Sequence, residues 1–285
     1  MFNALLPITL CLVSAITVAA VNLFVKKGGD VLSTRMLVSL TMAATAVPFA
    51  PFVPLPTPAV WAALGISLCA HAGYQFAMVR ALHRGDLSLV FPVMRGFAPL
   101  AAAILATIFL GEALAPLGWF GLLLASAALL VFALPEDQSI DAANVRRSAL
   151  FWAVMTSIGI GAYSVADANG TRTADFVPTF IVWLFMLDWI GITLTMAVTR
   201  GRSMWRDVRP QLRDGIIAGI LGSVSYATAL WAFTMIEAAA VTALRETSVV
   251  FGAFFGAVLL KEPFGRRRII SAAVLATGLV LLNLT

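Results

Sequence analysis

Ten continuous apolar runs decide what this chain can become. They occupy roughly residues 5–25, 32–50, 58–79, 87–110, 116–133, 148–167, 178–198, 214–236, 239–260 and 268–284. A run of about 20 apolar residues is what an α-helix needs to cross a hydrocarbon core of ~30 Å. Ten crossings would consume about 200 of the 285 residues. What is left suffices for tails and short loops, so a folded domain outside the membrane is excluded. Strands of a membrane barrel alternate polar and apolar residues, and these runs do not. With 61% hydrophobic and 12% charged residues, the composition has no room for a soluble core with a hydrated surface. The expectation is an all-α polytopic membrane protein. The first run has no basic residues before it and is followed by Lys26 and Lys27, so it reads as a first span and not as a cleaved leader.

The longest charged connection, residues 134–148, leaves five runs on each side. A shift of 150 places Arg95 on Arg245, Ala103 on Ala253, Glu112 on Glu262 and Leu129 on Leu279, and a shift of 152 places Tyr74 on Tyr226. Polar residues inside apolar runs are rare, so the Arg and Glu coincidences carry most of the weight. The chain is therefore read as two repeats, 1–136 and 137–285. Five spans is an odd number, so tandem copies enter the membrane in opposite senses, giving ten helices as two inverted five-helix repeats. Sixteen of the nineteen basic residues fall in the loops after runs one, three, five, seven and nine, Arg35 among them, and the even loops hold only Arg172. The positive-inside rule then makes the odd loops cytoplasmic and puts both termini outside, in an inner (plasma) membrane.

Cys11 and Cys69 lie in apolar runs, and the histidines are His71 and His83. No metal-ligand spacing can be written from them, and no cofactor is expected. The net charge of +5 sits in interhelical loops, which marks orientation and not a nucleic-acid surface.

Residues 74–133, with Arg95 and Gly111-Glu112, and the stretch LRETSVVFGAFFGAVLLKEPFGRRRIISAAVLATGLVLL, with Lys261-Glu262, resemble the repeated EamA unit of the drug/metabolite transporter superfamily. The resemblance implies a ten-helix export or exchange carrier and does not single out one substrate. Well-described members keep both termini in the cytoplasm, opposite to the charge count here. Many relatives carry Trp before the Asn that ends span one, whereas Val21 precedes Asn22. Residues 245–251 resemble a subgroup associated with phosphonate metabolism, which implies an anionic substrate.

Arg95 lies nine residues past Asp86, and Arg245 eight past Glu237, so each is about 12–13 Å into its span. An arginine at that depth must face the bundle interior and meet a partner. One reading is an internal ion pair of Arg95 or Arg245 with Glu246 or Asp188. The other is a substrate site, because the planar guanidinium fork suits a carboxylate, phosphonate or phosphate. Asp188, in the middle of run seven, and Glu246 are the candidates for a coupling proton, or else permanent counter-ions of arginine. His71 and Gln75 share a helix face, with Tyr74 about 100° away. Together with Tyr226 they are candidate substrate ligands. Glu112 and Glu262, at helix ends, are read as structural. Pro92 and Pro99 interrupt backbone bonding on either side of Arg95. Gly215 with Gly219, and Gly252 with Gly256, have spacings that permit close helix contact.

The resulting expectation is a secondary transporter of a small polar or anionic metabolite, exporting or exchanging it by alternating access around a midplane site. Its partners would be the substrate and the bilayer, and its state monomer or homodimer. A lipid-headgroup or glycolipid flippase is the alternative. No nucleophile, base and orienting group recur at usable spacing, and no phosphate-binding loop occurs, which argues against an enzyme or an ATP-driven pump.

Overall fold

The computed structural model describes residues 2–84, 87–133, 143–259 and 266–283. Among the described residues there is no strand, and six helical stretches are long and apolar enough to cross a membrane. The protein is an all-α, multi-pass membrane protein. In chain order the helices are α1 (Phe2–Gly28), α2 (Val31–Ala46), α3 (Pro58–Leu82), α4 (Leu87–Gly96), α5 (Ala98–Leu110), α6 (Pro116–Ala133), α7 (Ala143–Thr173), α8 (Val177–Arg200), α9 (Met204–Val208), α10 (Leu212–Ala232), α11 (Ala238–Arg245), α12 (Ser248–Leu259) and α13 (Arg266–Asn283). The run at 87–110 is split between α4 and α5, and the run at 239–260 between α11 and α12.

Chemistry explains the first split. Pro99 has no N–H, so the carbonyl of Arg95 lacks its usual donor four residues on. From α7, Ser157 Oγ donates to the carbonyls of Val93 (2.8 Å) and Met94 (3.0 Å), the groups just ahead of the break. The second split has no proline. The chain there tightens into three-residue turns, with Thr247 N on Leu244 O at 3.2 Å and Val249 N on Glu246 O at 3.0 Å. The Thr247 hydroxyl also ties back to Leu244 O at 2.7 Å.

Packing follows the same offsets as the breaks. α5 begins at 98 and α12 at 248; α6 spans 116–133 and α13 spans 266–283. α3 packs along α7 as α10 packs along α1, α5 meets α7 as α12 meets α1, and α6 pairs with α13. The α6–α13 crossing is close because it runs through Gly121 and Gly278: a Cβ on either would lie 2.6 Å from the other's carbonyl oxygen. Gly215 and Gly219 serve α10 in the same way, seating Leu37 and Thr41 of α2. Gly252 meets no such contact among the described residues, and Lys261-Glu262 lie outside them.

Small residues dominate these helix contacts, with Ala102, Ala106, Ala168, Ala229, Ala232 and Ala238 essentially inaccessible. Large apolar side chains such as Phe109, Leu194 and Val198 point outward. In lipid this inversion is sensible, since outward burial gains nothing between helices and close backbone approach gains dispersion. The main apolar core gathers Ala46, Val60, Leu64, Phe180, Phe233 and Ala238. These residues lie at the α2 C-terminus, the α3 and α8 N-termini and the α10–α11 turn, so they pack one end of the bundle solid.

Two expectations change here. Arg35, counted as a loop charge, stands in the second turn of α2. The sixth run, drawn to 167, continues as helix to Thr173 because α7 has no proline or cap before Ala174.

Candidate functional site

On the open side of the packed core lies a cavity of about 140 Å³. Its walls come from the second half of α1 (Val18, Val21, Asn22), from Arg35, Ser39 and Met42 of α2, and from mid-helix positions of α3, α7, α8 and α10. The two split helices contribute Arg95 and Arg245, each at the end of the half that precedes the break. Breaking a helix there lets a long side chain project from a terminus into the cavity. His71, Tyr74, Gln75, Arg95, Asp188, Tyr226 and Arg245, all singled out in the sequence, line this one cavity. Glu246, 2% exposed, is set back from it and accepts from Arg95 Nη1 at 2.9 Å.

The acids sort by partner. Asp188 accepts from Ser39 at 3.2 Å and faces His71 Nδ1 at 3.3 Å. The other ring nitrogen, Nε2, lies 3.0 Å from Asp167 Oδ2. Asp167 is 0% exposed and also accepts from Ser67 and from the Tyr226 hydroxyl. Tyr163 stacks on His71 at 4.4 Å and Tyr226 meets it edge-on at 5.8 Å. A neutral imidazole donates through only one nitrogen. With a carboxylate at each nitrogen, the second contact becomes a hydrogen bond only when His71 or Asp188 carries a further proton.

Arg245 is held differently. Its Nε donates to Ser14 at 3.0 Å and its guanidinium carbon lies 5.0 Å from the Tyr226 ring centroid, a cation–π contact. Ser14 is in turn fixed by Ser225, which donates to its carbonyl at 2.8 Å. No carboxylate comes within 4.0 Å of Arg245 among the described residues. Of the ion pairs foreseen for the two arginines, the structure forms Arg95–Glu246, whereas Asp188 turns to His71.

The two ends of the bundle carry polar clasps. At the packed end, Arg172 donates Nε to Phe233 O (2.7 Å), Nη2 to Ile236 O (3.0 Å) and Nη1 to Glu112 Oε1 (2.7 Å). Glu112 Oε2 accepts the first amide of α11, Ala238 N, at 2.9 Å. Gly111, at φ 68°, turns the chain out of α5 so that Glu112 can reach; only glycine adopts that angle without strain. At the cavity end, Asp30 caps α2 and receives Arg200 Nη2 at 2.8 Å, while Asp207 accepts from Arg200 Nη1 at 3.2 Å. Burial pushes the Asp30 carboxyl up, but the Arg200 and Ser33 hydrogen bonds outweigh it and hold it below the usual carboxylate range.

Sequence reasoning missed Asp167, Tyr163, Ser14 and Arg35. Asp167 and Tyr163, four apart within an apolar run, carried a usable signal: both fall on one face of a helix.

A helical membrane bundle with a central polar cavity built around two broken helices is a transporter-like fold. The EamA-like transporter family model matches residues 147–284, and this half of the chain is an EamA domain of the drug/metabolite transporter superfamily. One solved structure, described as "Crystal structure of protein", superposes with a TM-score of 0.78 over 96% of this chain and 95% of its own at 16% identity, which is a likeness of fold. No curated protein matches the chain.

Proposed function

We propose that this protein is a secondary transporter that exports or exchanges a small polar or anionic metabolite by alternating access, with proton coupling. The observation that carries the reading is the cavity itself, lined both by Arg245, which has no carboxylate within 4.0 Å among the described residues, and by a His71–Asp188 pair able to take up a proton. Arg245 receives the anionic group, with Tyr226 and Tyr74 flanking it, and His71 and Gln75 hydrogen-bond the rest of the substrate. Asp188 takes the coupling proton and shares it with His71. Glu246 acts through its pair with Arg95.

Ten spans in two inverted repeats, 1–136 and 137–285, fit this mechanism. Supporting that division are the 150-residue offsets between α5 and α12 and between α6 and α13, and the exchange of packing partners between α3–α7 and α10–α1. The halves rock about the cavity, and the present arrangement is closed at the Glu112 end. Loop charge supports placing the Asp30 end in the cytoplasm and both termini outside, which makes this the inward-open state. The test is uptake and counterflow in proteoliposomes with a panel of radiolabelled organic anions, with and without an imposed pH gradient. Transport of none of the panel, or transport indifferent to both the gradient and Arg245→Gln, overturns the reading.

A further inference from the structure

Arg35 lines the cavity but has no role in the reading above. Its position in α2 puts it about 6 Å in from the start of that span. It lines the same cavity as Arg245. Its Nε is buried and makes no hydrogen bond, and no carboxylate lies within 4.0 Å of it, among the described residues. Asp188 is the nearest candidate by sequence logic, since Ser39, one turn further along α2, already holds it. That carboxylate is committed to Ser39 and His71, and the other cavity acid, Asp167, to Ser67, His71 and Tyr226. Arg95 is balanced by Glu246. Among the described residues, therefore, two guanidiniums, Arg35 and Arg245, share a cavity with no carboxylate within 4.0 Å of either.

Their depths differ. Arg245 is anchored to Ser14, eleven residues inside the Val25 end of its span, or about 16 Å. Arg35 is roughly 10 Å nearer the mouth on the same reckoning. Cations withdrawn from water without a counter-charge are costly in a low-dielectric interior, and an anion that meets both lowers the cost. A single compact anion reaches one of them; an elongated molecule with an anionic group at each end reaches both. Resting on the transporter reading above, we infer that Arg35 is a second substrate-binding residue and that the cargo is a small dianion with separated charges, of the dicarboxylate type.

The experiment is thermal unfolding of the purified full-length protein in detergent, titrated with acetate, inorganic phosphate and succinate at fixed pH and ionic strength. Succinate is expected to stabilise the wild type at concentrations roughly tenfold lower than acetate or phosphate. Arg35→Gln should bring succinate down to the level of acetate while leaving the acetate response, which reads Arg245, in place. Arg35→Lys, which retains charge and guards against a folding defect, should restore part of the preference. A succinate preference that survives Arg35→Gln, or phosphate acting as well as succinate, overturns the inference and leaves the transporter reading standing. No response of the wild type to any of the three overturns this inference and the anionic-substrate reading together.

Discussion

The guanidinium of Arg95 and the carboxylate of Glu246 meet at 2.9 Å, one at the end of α4 and the other just past the end of α11, so that this ion pair joins the two broken helices. Both partners are largely withdrawn from solvent, with side-chain exposures of 16% and 2%. Removing one charge of such a pair costs about 3–5 kcal/mol, because the other charge stays behind in a poor dielectric. Glu246→Gln is therefore expected to lower the unfolding midpoint sharply in detergent. The double variant Arg95→Met, Glu246→Met should recover most of the loss, since apolar groups of similar volume replace the pair at little net cost. A double variant as unstable as the single one would mean that the pair contributes more than its own neutralisation.

The pair also shows which parts of the site were legible in the sequence. Arg95 and Arg245 stood out because an arginine inside an apolar run has few places to go, and the 150-residue shift tied them together. His71, Gln75, Tyr74, Asp188 and Tyr226 were found by the same rarity of polar groups in lipid-facing sequence. Asp167 stands at the last position of the sixth apolar run, where hydropathy does not mark it as buried, and its partners His71 and Ser67 are 96 and 100 residues away. Arg35 was lost to the opposite bias, since a basic residue close to a span end counts first as an orientation signal. The α4–α5 break was announced by Pro99, but the α11–α12 break rests on a threonine hydroxyl and tight turns that no local pattern marks. Ser14 is one serine in an apolar run, and only the approach of α10 and α11 gives it a task.

Proton coupling has a narrow test at His71. The charged and titratable groups facing it are Asp167 and Tyr163 from α7, Asp188 from α8, Tyr226 from α10 and, by charge across the cavity, Arg245 from α11. Asp188→Asn keeps the Ser39 contact possible and deletes one proton acceptor. It is expected to abolish the response of transport to a pH gradient while substrate-for-substrate exchange continues. Asp167→Asn is expected to impair folding as well, because three hydrogen-bond partners, Ser67, His71 and Tyr226, converge on that buried carboxylate. Proteoliposome flux with and without the gradient decides: an unchanged gradient response in Asp188→Asn removes Asp188 from the coupling path.

If the halves rock as proposed, opening at the packed end requires the Arg172 clasp to part. Arg172 joins α7 to Glu112 and to the carbonyls of the α10–α11 turn, so Arg172→Ala deletes three hydrogen bonds at once. The expected outcome is a shift of population toward the state open at that end. A cysteine at Ala168, which is inaccessible in this arrangement, reports it when Cys11 and Cys69 are replaced by alanine. Labelling by a membrane-impermeant maleimide should rise about tenfold with Arg172→Ala, the change that ~1.4 kcal/mol produces in an opening equilibrium. Equal labelling in both backgrounds would assign the clasp to stability alone.

At the other end, the Asp30–Arg200 pair predicts a pH signature of stability that is separate from transport. The Asp30 carboxyl is held below its usual range by Arg200 and Ser33 despite the opposing effect of burial. A group whose folded-state pKa is depressed contributes stability that is fully present above its unfolded value, about 3.9, and is lost as pH falls through the lower folded value. Asp30→Asn retains an oxygen that can cap α2 and removes only the charge. The wild type should then exceed Asp30→Asn by about 1 kcal/mol or less at pH 6, as expected for a partly exposed pair. That advantage should shrink steadily below pH 4. Unfolding midpoints of the two proteins measured in detergent from pH 6 to pH 3 give the comparison, and a gap that stays constant across this range would show that Asp30 acts through its cap geometry and not through its charge.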